Sequence, residues 1–394
     1  MTEPAFPPVA ALVGSSTALG APLREAFSRS VARGARPAQL AVSIGGESIV
    51  DLVSGGLAAD TPVQVFSVSK LLVAAAAVHA HDRGFIDLDA PLAEYWPAFD
   101  RASTRGITAM HVLDHSSGIS AVSVPLSTDD LVADKLDELV EREEPLWAPG
   151  TAHGYGAFTF GALMAGVFRH GVGTSVQEYV AEHLVRPTGA RFTFGADEAT
   201  RGRLAPITFR SPVVTEASAN EFMTGTALQD GSMLPIMTDS AGFFTDPRVQ
   251  AATWPSMSGV TTAHDLVAIF SGAMGYGGAP PALSPAAIAR LTTERHHGPD
   301  RGLPYLSRYG AGAELPHELL QLLGPNSFGH QGAAGSVVAI DPDTETVFAY
   351  TSTLMDATVG ISDQALVLLG VARSVVAPAL AQSELQLSSK GVSR

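Results

Sequence analysis

Ser67, Val68, Ser69 and Lys70 place a hydroxyl three residues ahead of one of only three lysines in a chain that carries 21 arginines. If a helix starts at Ser67, residues i and i+3 share a face with Cβ atoms roughly 5–6 Å apart, so the hydroxyl and the amine can meet. A serine beside a group that takes its proton is a nucleophile with its base, the chemistry of acyl transfer through a covalent intermediate. An amine with an ordinary pKa of about 10.4 must shed its charge to act in this way, and burial pushes it in that direction. The same residues also read as an N-cap serine followed by a solvated lysine on the first helical turn. The surroundings decide between the two.

Those surroundings are an extended run over Thr61–Phe66 and then a predicted helix over Ser67–Arg83, closed by Gly84. Leu71 to Val78 are apolar on every side, so this helix belongs in the interior, with Ser67 at its N-terminal tip where the dipole favours negative charge. Upstream, a helix over Ala21–Arg33 precedes strands at Leu40–Ile44 and Ile49–Val53, which flank Gly45, Gly46 and Glu47 as a hairpin would. A strand-poor middle holds helices near Thr108–His115, Thr128–Glu143, Phe158–His170 and Ser175–Val185. Strands return at Val337–Ile340 and Thr346–Thr351 around a turn at Asp341, Pro342 and Asp343, and a helix over Ser362–Val376 closes the pattern. Strands at both ends around a helical middle predict one sheet assembled from the two termini. The polar stretch from Gln382 to Arg394 reads as a mobile tail.

Composition narrows the function classes. With 394 residues, 46% of them hydrophobic and 16% charged, the chain has the make-up of an ordinary globular protein. A net charge of −15 with no run of Lys or Arg opposes nucleic-acid and anionic-membrane partners and leaves small-molecule substrates. No cysteine is present, which removes disulfides, thiolate metal sites and a cysteine nucleophile. Met1 to Pro8 carries an acid and three prolines where a secretory signal places positive charge and an apolar core, so a cytoplasmic location is expected. The apolar run at Leu71–Val78 falls far short of the roughly 18 residues of a membrane span.

A second segment, Pro145 to Phe158, contains Trp147, Pro149, Gly150, Thr151, Gly154 and Tyr155 in a W-x-P-G-T-x-x-G-Y pattern. Taken with Ser67–Lys70, it resembles the serine hydrolases of the class C β-lactamase and penicillin-binding-protein superfamily, and most closely family VIII carboxylesterases. Further parallels lie at Ile107–Ile119, Pro255–Leu266 and Phe328–Ser336, so the likeness spans about residues 20–375. It implies a β-lactamase/DD-peptidase-like α/β (α+β) fold, an antiparallel sheet flanked by helices with an inserted helical domain. Residues 1–90 and 255–380 would form the sheet-containing part and 91–254 the insertion.

Carried over by position, the resemblance makes Ser67 the acylated nucleophile, Lys70 its proton acceptor or the group that keeps it poised, and Tyr155 the second base. It also implies a strand beside the nucleophile, at His330, Gln331 and Gly332, after which the Ala333 N–H joins that of Ser67 in an oxyanion hole. Losing one such donor costs about 10²–10³ in rate. His330 and Gly332 would line the substrate, and no cofactor is implied. Read alone, Tyr155 fits a core aromatic in a glycine-rich turn better than a base, and the 328–336 stretch also reads as a glycine-rich lead-in to a strand.

The chain departs from the β-lactamase pattern twice. Tyr155, Gly156 and Ala157 stand where Tyr-x-Asn is usual, and His330 stands where Lys-Thr-Gly begins. The absent amide and ammonium are the groups that would bind a β-lactam's side-chain amide and carboxylate, so a small-molecule ester or acyl substrate is expected. An amidase or biosynthetic acyltransferase would use the same residues; a β-lactamase, or a non-catalytic binder that keeps the cleft, is the more distant alternative. His330 either touches a substrate carbonyl or caps its strand. His111, Asp114 and His115 loosely resemble a metal-binding helix but lack a third ligand. Gly-x-Ser-x-Gly is absent. His296 and His297 read as solvated residues of a polar loop. Phe222, Met223, Met233, Met237, Phe243 and Phe244 suggest an apolar acyl pocket and are equally ordinary packing.

Overall fold

Two apolar stretches more than 300 residues apart in sequence, Ala38–Ile44 (β2) and Thr346–Ser352 (β12), pair antiparallel along their whole length, from Ala38 opposite Ser352 to Ile44 opposite Thr346. They are the middle of a six-stranded sheet in this computed structural model, which describes residues 12–32, 37–123, 129, 132, 136–209, 240–355 and 360–391. On one side of β2 lie Glu47–Val53 (β3) and then Val13–Ser16 (β1); on the other side of β12 lie Val337–Asp341 (β11) and then Phe328–Gln331 (β10). Every pairing in this sheet is antiparallel. The expected hairpins are present, and the sheet is built from both ends of the chain. The edge strand β1 is a finding the sequence pattern did not announce.

Side chains alternate across this sheet with the two-residue period of a strand. Leu40, Val42, Val337, Ala339, Phe348 and Tyr350 face Leu23 and Phe27 of helix α1 (Ala21–Ala32) and Leu368 and Leu369 of the closing helix Asp363–Gly391. Ala41, Val338, Ile340, Val347 and Ala349 face a larger core around α2 (Ser69–Asp82) and the helix Ala263–Met274. The closing helix runs past Val376 into the segment read as a tail.

Helix α2 is the axis of the second core. Every residue from Ser69 to Ala80 is buried, as its unbroken apolar sequence requires. The strand Val63–Phe66 (β4) leads into it and pairs with Gly259–Thr261 (β7), which also holds Phe192–Phe194 (β5). Between 91 and 254 the chain is mainly helical. Thr108 and Ser175 form capping boxes with His111 and Glu178, which fixes the starts of the helices Ala109–Leu113 and Val176–Val180. The helix Thr159–Val167 widens into a π turn at Phe168–Val172, and Val176–Val180 does the same at Ala181–Val185. Of the expected Thr128–Glu143 helix, Leu136–Val140 lies among the described helical residues and most of the rest lies outside the described residues. Beyond β5 the region also contributes Thr208–Phe209 (β6), which pairs with Leu354–Met355 (β13), so strands tie it to the sheet-bearing half. His296–Pro299 (β8) and Leu306–Tyr309 (β9) form a separate hairpin, which places His296 and His297 on a strand rather than in a loop.

Among the described residues, no helix is long and apolar enough to cross a membrane. The tightest helix contact is at Gly166, where an added Cβ would lie 2.0 Å from the Trp96 ring. Gly166→Ala is therefore expected to destabilise the protein by about 1–3 kcal/mol through overpacking, measured by chemical denaturation. Unchanged stability would show that the Trp96 pocket gives way freely.

Candidate active site

Strand β4 delivers Ser67 through a strained turn. The β4–β7 register slips between Gln64 and Phe66, and Phe66 adopts φ +48°, a conformation that non-glycine residues rarely take. Ser67 and Val68 form a turn, and α2 begins only at Ser69. The expected helix start thus moves two residues on, for a physical reason: Ser69 Oγ donates to the Phe66 carbonyl at 2.5 Å and accepts the Gly259 N–H at 2.9 Å. Ser69 ties the turn down, and the Ser67 hydroxyl is left out of capping.

Lys70 is wholly buried, contrary to a solvated first-turn lysine. Its Nζ donates to the carbonyls of Ala157 and Ser256, each at 3.0 Å, and lies 3.2 Å from Ser67 Oγ. The amine also sits 4.8 Å from the centre of the Tyr155 ring. Burial pushes its pKa well below the usual lysine value, and the carboxyl of Glu314 acts against that push. An uncharged amine has two N–H groups and one lone pair. As an ammonium, Lys70 donates to all three oxygens; once uncharged, it can give its two N–H groups to the carbonyls and turn its lone pair toward the Ser67 hydroxyl. The position where Tyr-x-Asn would supply an amide is filled by Ala157, which meets Lys70 through its main-chain oxygen.

Tyr155 is held by its backbone. The N–H groups of Gly154 and Gly156 donate to His115, at 2.9 Å to its carbonyl and 3.3 Å to its Nδ1. The Tyr155 N–H donates to Asp300 Oδ1 at 2.8 Å. Its ring packs 4.9 Å from the His115 ring and 6.2 Å from that of His330. Burial drives the phenol pKa well above its usual value, and the nearby Ser67 hydroxyl offsets only part of this. Tyr155 is thus a neutral phenol at neutral pH, whereas burial eases the Lys70 amine toward its uncharged form.

The third wall is the end of β10. A Cβ on Gly332 would come within 2.3 Å of the Val65 carbonyl oxygen and 3.4 Å of the Ser67 nitrogen, so glycine lets this strand end lie against β4. The next residue, Ala333, has an N–H that donates to no group among the described residues. Ser67, Tyr155 and Ala333 are each partly exposed, whereas Lys70, His330 and Glu314 are buried. The sequence-predicted residues therefore come together, with the reactive hydroxyl on the accessible side and its partners behind it.

His330 carries no charge here: burial, aided by Lys70, lowers its pKa to about 3. Its Nδ1 lies 2.6 Å from the Gln331 carbonyl and so holds the ring proton, while Nε2 has no partner. Behind it, Glu314 accepts the Gln331 backbone N–H at 2.9 Å and the Gln331 side-chain amide at 3.1 Å. Burial raises the Glu314 pKa to about 7. Glu314, Asp300, Ser256 and the anchoring role of His115 were not read from the sequence. Their partners are remote in the chain, and a lone Asp or Glu in a loop carries no local signal.

The remaining candidates resolve differently. His111 belongs to its capping box, Asp114 accepts from Ser116 and Arg295, and among the described residues no group of three or more His, Asp or Glu has a metal-binding arrangement. His296 stacks on His153 at 5.4 Å, and His297 pairs with Glu318. Phe244 packs edge-on against Phe66 at 5.1 Å, next to the nucleophile, with Phe243 behind it. Phe222, Met223, Met233 and Met237 lie outside the described residues.

Comparison with known proteins bears on the fold that carries these residues. The beta-lactamase family profile matches residues 23–372. "Esterase/beta-lactamase LipL" of Mycobacterium tuberculosis is 30% identical over 347 residues, covering 79% of this chain and 75% of that protein. A crystal structure of a family VIII carboxylesterase superposes with a TM-score of 0.81 at 25% identity, covering 93% of this chain and 100% of the other. EstA from Arthrobacter nitroguajacolicus gives a TM-score of 0.81 at 27% identity, over 92% of this chain and 98% of its own.

Glu314 gives this site a measurable signature. It ionises near 4.5 in an unfolded chain and near 7 in the folded protein, so it keeps a proton on folding between those values. Stability from this group is full below its unfolded pKa and is lost as pH rises through 7. Glu314→Gln has no such proton. Its thermal stability relative to the parent protein is expected to improve from pH 5 to pH 8, by on the order of 2–3 kcal/mol at most. A stability difference that stays constant with pH would contradict the buried-acid assignment.

Proposed function

Because the chain belongs to the beta-lactamase family, we propose that it is a serine carboxylesterase, cleaving carboxylic esters through an acyl-enzyme on Ser67. The observation that carries this reading is the buried Lys70 amine 3.2 Å from Ser67 Oγ and 3.0 Å from the Ala157 and Ser256 carbonyls, which can take both N–H groups of the uncharged amine and leave its lone pair for Ser67. Lys70 takes the proton as Ser67 Oγ attacks the ester carbonyl. The N–H groups of Ser67 and Ala333 receive the developing oxyanion. Tyr155, a neutral phenol beside Ser67, passes a proton to the departing alkoxide and is restored from Lys70. Water then attacks the acyl-enzyme, giving up a proton to the same pair, and the acid leaves while Ser67 Oγ regains its hydrogen.

Ester over β-lactam is supported by the two departures in the site. Ala157 offers no side-chain amide, and His330 is an uncharged imidazole where an ammonium would hold a carboxylate. The family VIII carboxylesterase among the similar structures points the same way, while the name of LipL carries both activities, esterase and beta-lactamase. The substrate expected is a small, uncharged ester. A cytoplasmic location and independence from nucleic acid and membrane partners remain part of the same proposal.

Intact-protein mass spectrometry after exposure to p-nitrophenyl esters and an alkyl phosphonate tests the reading. One acyl or phosphonyl adduct is expected on the parent protein and none on Ser67→Ala, with a fall in kcat of at least about 10⁴-fold. Undiminished hydrolysis by Ser67→Ala would sink the proposal. The base assignment is tested separately. With the Lys70 pKa lowered, the acid limb of kcat/KM is expected far below pH 10.5, and Lys70→Arg, charged at every working pH, should be as inactive as Ser67→Ala. A Lys70→Arg variant that retains most activity would assign the base to another group.

A further inference from the structure

We propose that Asp300 is a positioning residue for Tyr155, fixing the phenol over Lys70 through the backbone of the segment 153–155. The proposal rests on the reading of Tyr155 as a participant in proton transfer at Ser67.

Asp300 follows the last residue of the strand β8, and its carboxylate is withdrawn from solvent. One oxygen, Oδ1, accepts three backbone N–H groups: Tyr155 at 2.8 Å, Gly302 at 2.7 Å and Leu303 at 3.0 Å. The other, Oδ2, accepts the Ser307 hydroxyl at 2.6 Å. Two of these donors shape the 300–303 turn itself, and the third reaches 145 residues back to the active-site segment. The two segments touch along their length. Arg301 N–H donates to the His153 carbonyl at 3.0 Å, and a Cβ on Gly302 would fall 2.5 Å from both the nitrogen and the oxygen of Tyr155. The contact is therefore backbone on backbone, with no flexible side chain between to absorb a change.

Ser307, His153 and Asp300 share the composition of a catalytic triad, so a second nucleophile has to be weighed. The Ser307 hydroxyl donates to Asp300, and His153 Nε2 lies 2.9 Å from the same oxygen. With its hydrogen directed at the carboxylate, Ser307 is an acceptor toward His153, the reverse of a serine activated by an imidazole base. Both Ser307 and His153 are buried, which closes them to substrate. The cluster is a support. His153 lies two residues before Tyr155, so the network grips the segment at both points.

Tyr155 has no other backbone donor bond to set its height above Lys70 and Ser67: its neighbours Gly154 and Gly156 are fixed by His115, and its own N–H goes to Asp300. Displacement of a proton-transfer group by about 1 Å can cost 10²-fold in rate. Removal of the carboxylate should therefore appear in turnover rather than in substrate binding.

A double-mutant cycle with a p-nitrophenyl ester tests this. Asp300→Ala is expected to lower kcat by about 10–100-fold with KM changed less than about threefold. In a Tyr155→Phe background the same change should cost less than about threefold, because the hydroxyl it places is gone. Asp300→Asn, which keeps an Oδ1 acceptor, should recover most of the loss. Should Asp300→Ala fail to fold by circular dichroism, Gly302→Ala perturbs the same contact from the other side, and the same non-additive loss is expected. If the losses multiply in full in the Tyr155→Phe background, or if Asp300→Asn is as impaired as Asp300→Ala, the proposal is overturned. If Tyr155→Phe alone leaves kcat at the parent value, the role of Tyr155 fails and that of Asp300 with it; a defective Tyr155→Phe with multiplying losses removes only the role of Asp300.

Discussion

An ammonium group is costly to keep in an apolar interior unless it is paired, and Lys70 lies in such an interior. Its helix is apolar on all sides and surrounded by core, so no route to water remains for the amine. The cost falls on the charged form, so burial lowers the pKa of the amine, and the structure surrounds it with two carbonyls and one hydroxyl. Most of the site follows from that. The Ala157 carbonyl fixes where the Tyr155 segment turns, the Ser256 carbonyl fixes the approach to β7, and the lone pair that remains has one hydroxyl in reach. The carboxyl of Glu314 is the counterweight. Its own burial raises its pKa toward neutrality, so the two groups lean on each other's charge state instead of forming a fixed ion pair.

A buried base acts only if the groups around it are placed as firmly as it is. Ser69 ties the turn that presents Ser67, His115 and Asp300 hold three successive N–H groups around Tyr155, and Glu314 grips Gln331 on the strand that leads to Ala333. Each anchor is a buried polar group satisfied by backbone, and each comes from a different element. The reactive groups are thus held by supports packed behind them, drawn from the start of α2 and from segments remote in the chain.

Much of this was written in the sequence, and the reasons are local. A run of eight apolar residues after Ser67–Lys70 has no place but a core, and Trp147 to Tyr155 is a dense enough pattern to be recognised. Alternating strands beside tight turns gave both hairpins. The start of α2 was misplaced because Ser69, rather than Ser67, meets Gly259, a contact 190 residues away. Asp300 and Glu314 were invisible for the same reason: single acids in loops, defined only by partners that the fold brings to them. Strand β1 is four residues long and mostly exposed, so no alternation marks it. The strand at His296 has no clear alternation in the sequence because its hairpin is short and joins the main sheet through the bridges of Glu314 to Tyr309 and Gly329.

The pairing of β2 with β12 has a consequence for how the protein comes into being. The strand that completes the centre of the sheet is synthesised more than 300 residues after its partner β2, yet it covers the same core that encloses α2. Until Ser352 has left the ribosome, a helix with no polar face lacks part of its cover, and the pairing it awaits is of very high sequence separation. Such closure is slow and leaves apolar surface open to association with other chains. The feature that lowers the pKa of Lys70, a helix greasy on every side, is therefore also a liability for the chain during its synthesis. A chain cut short before β12 would have every reactive side chain of the site and no interior in which Lys70 could lose its charge.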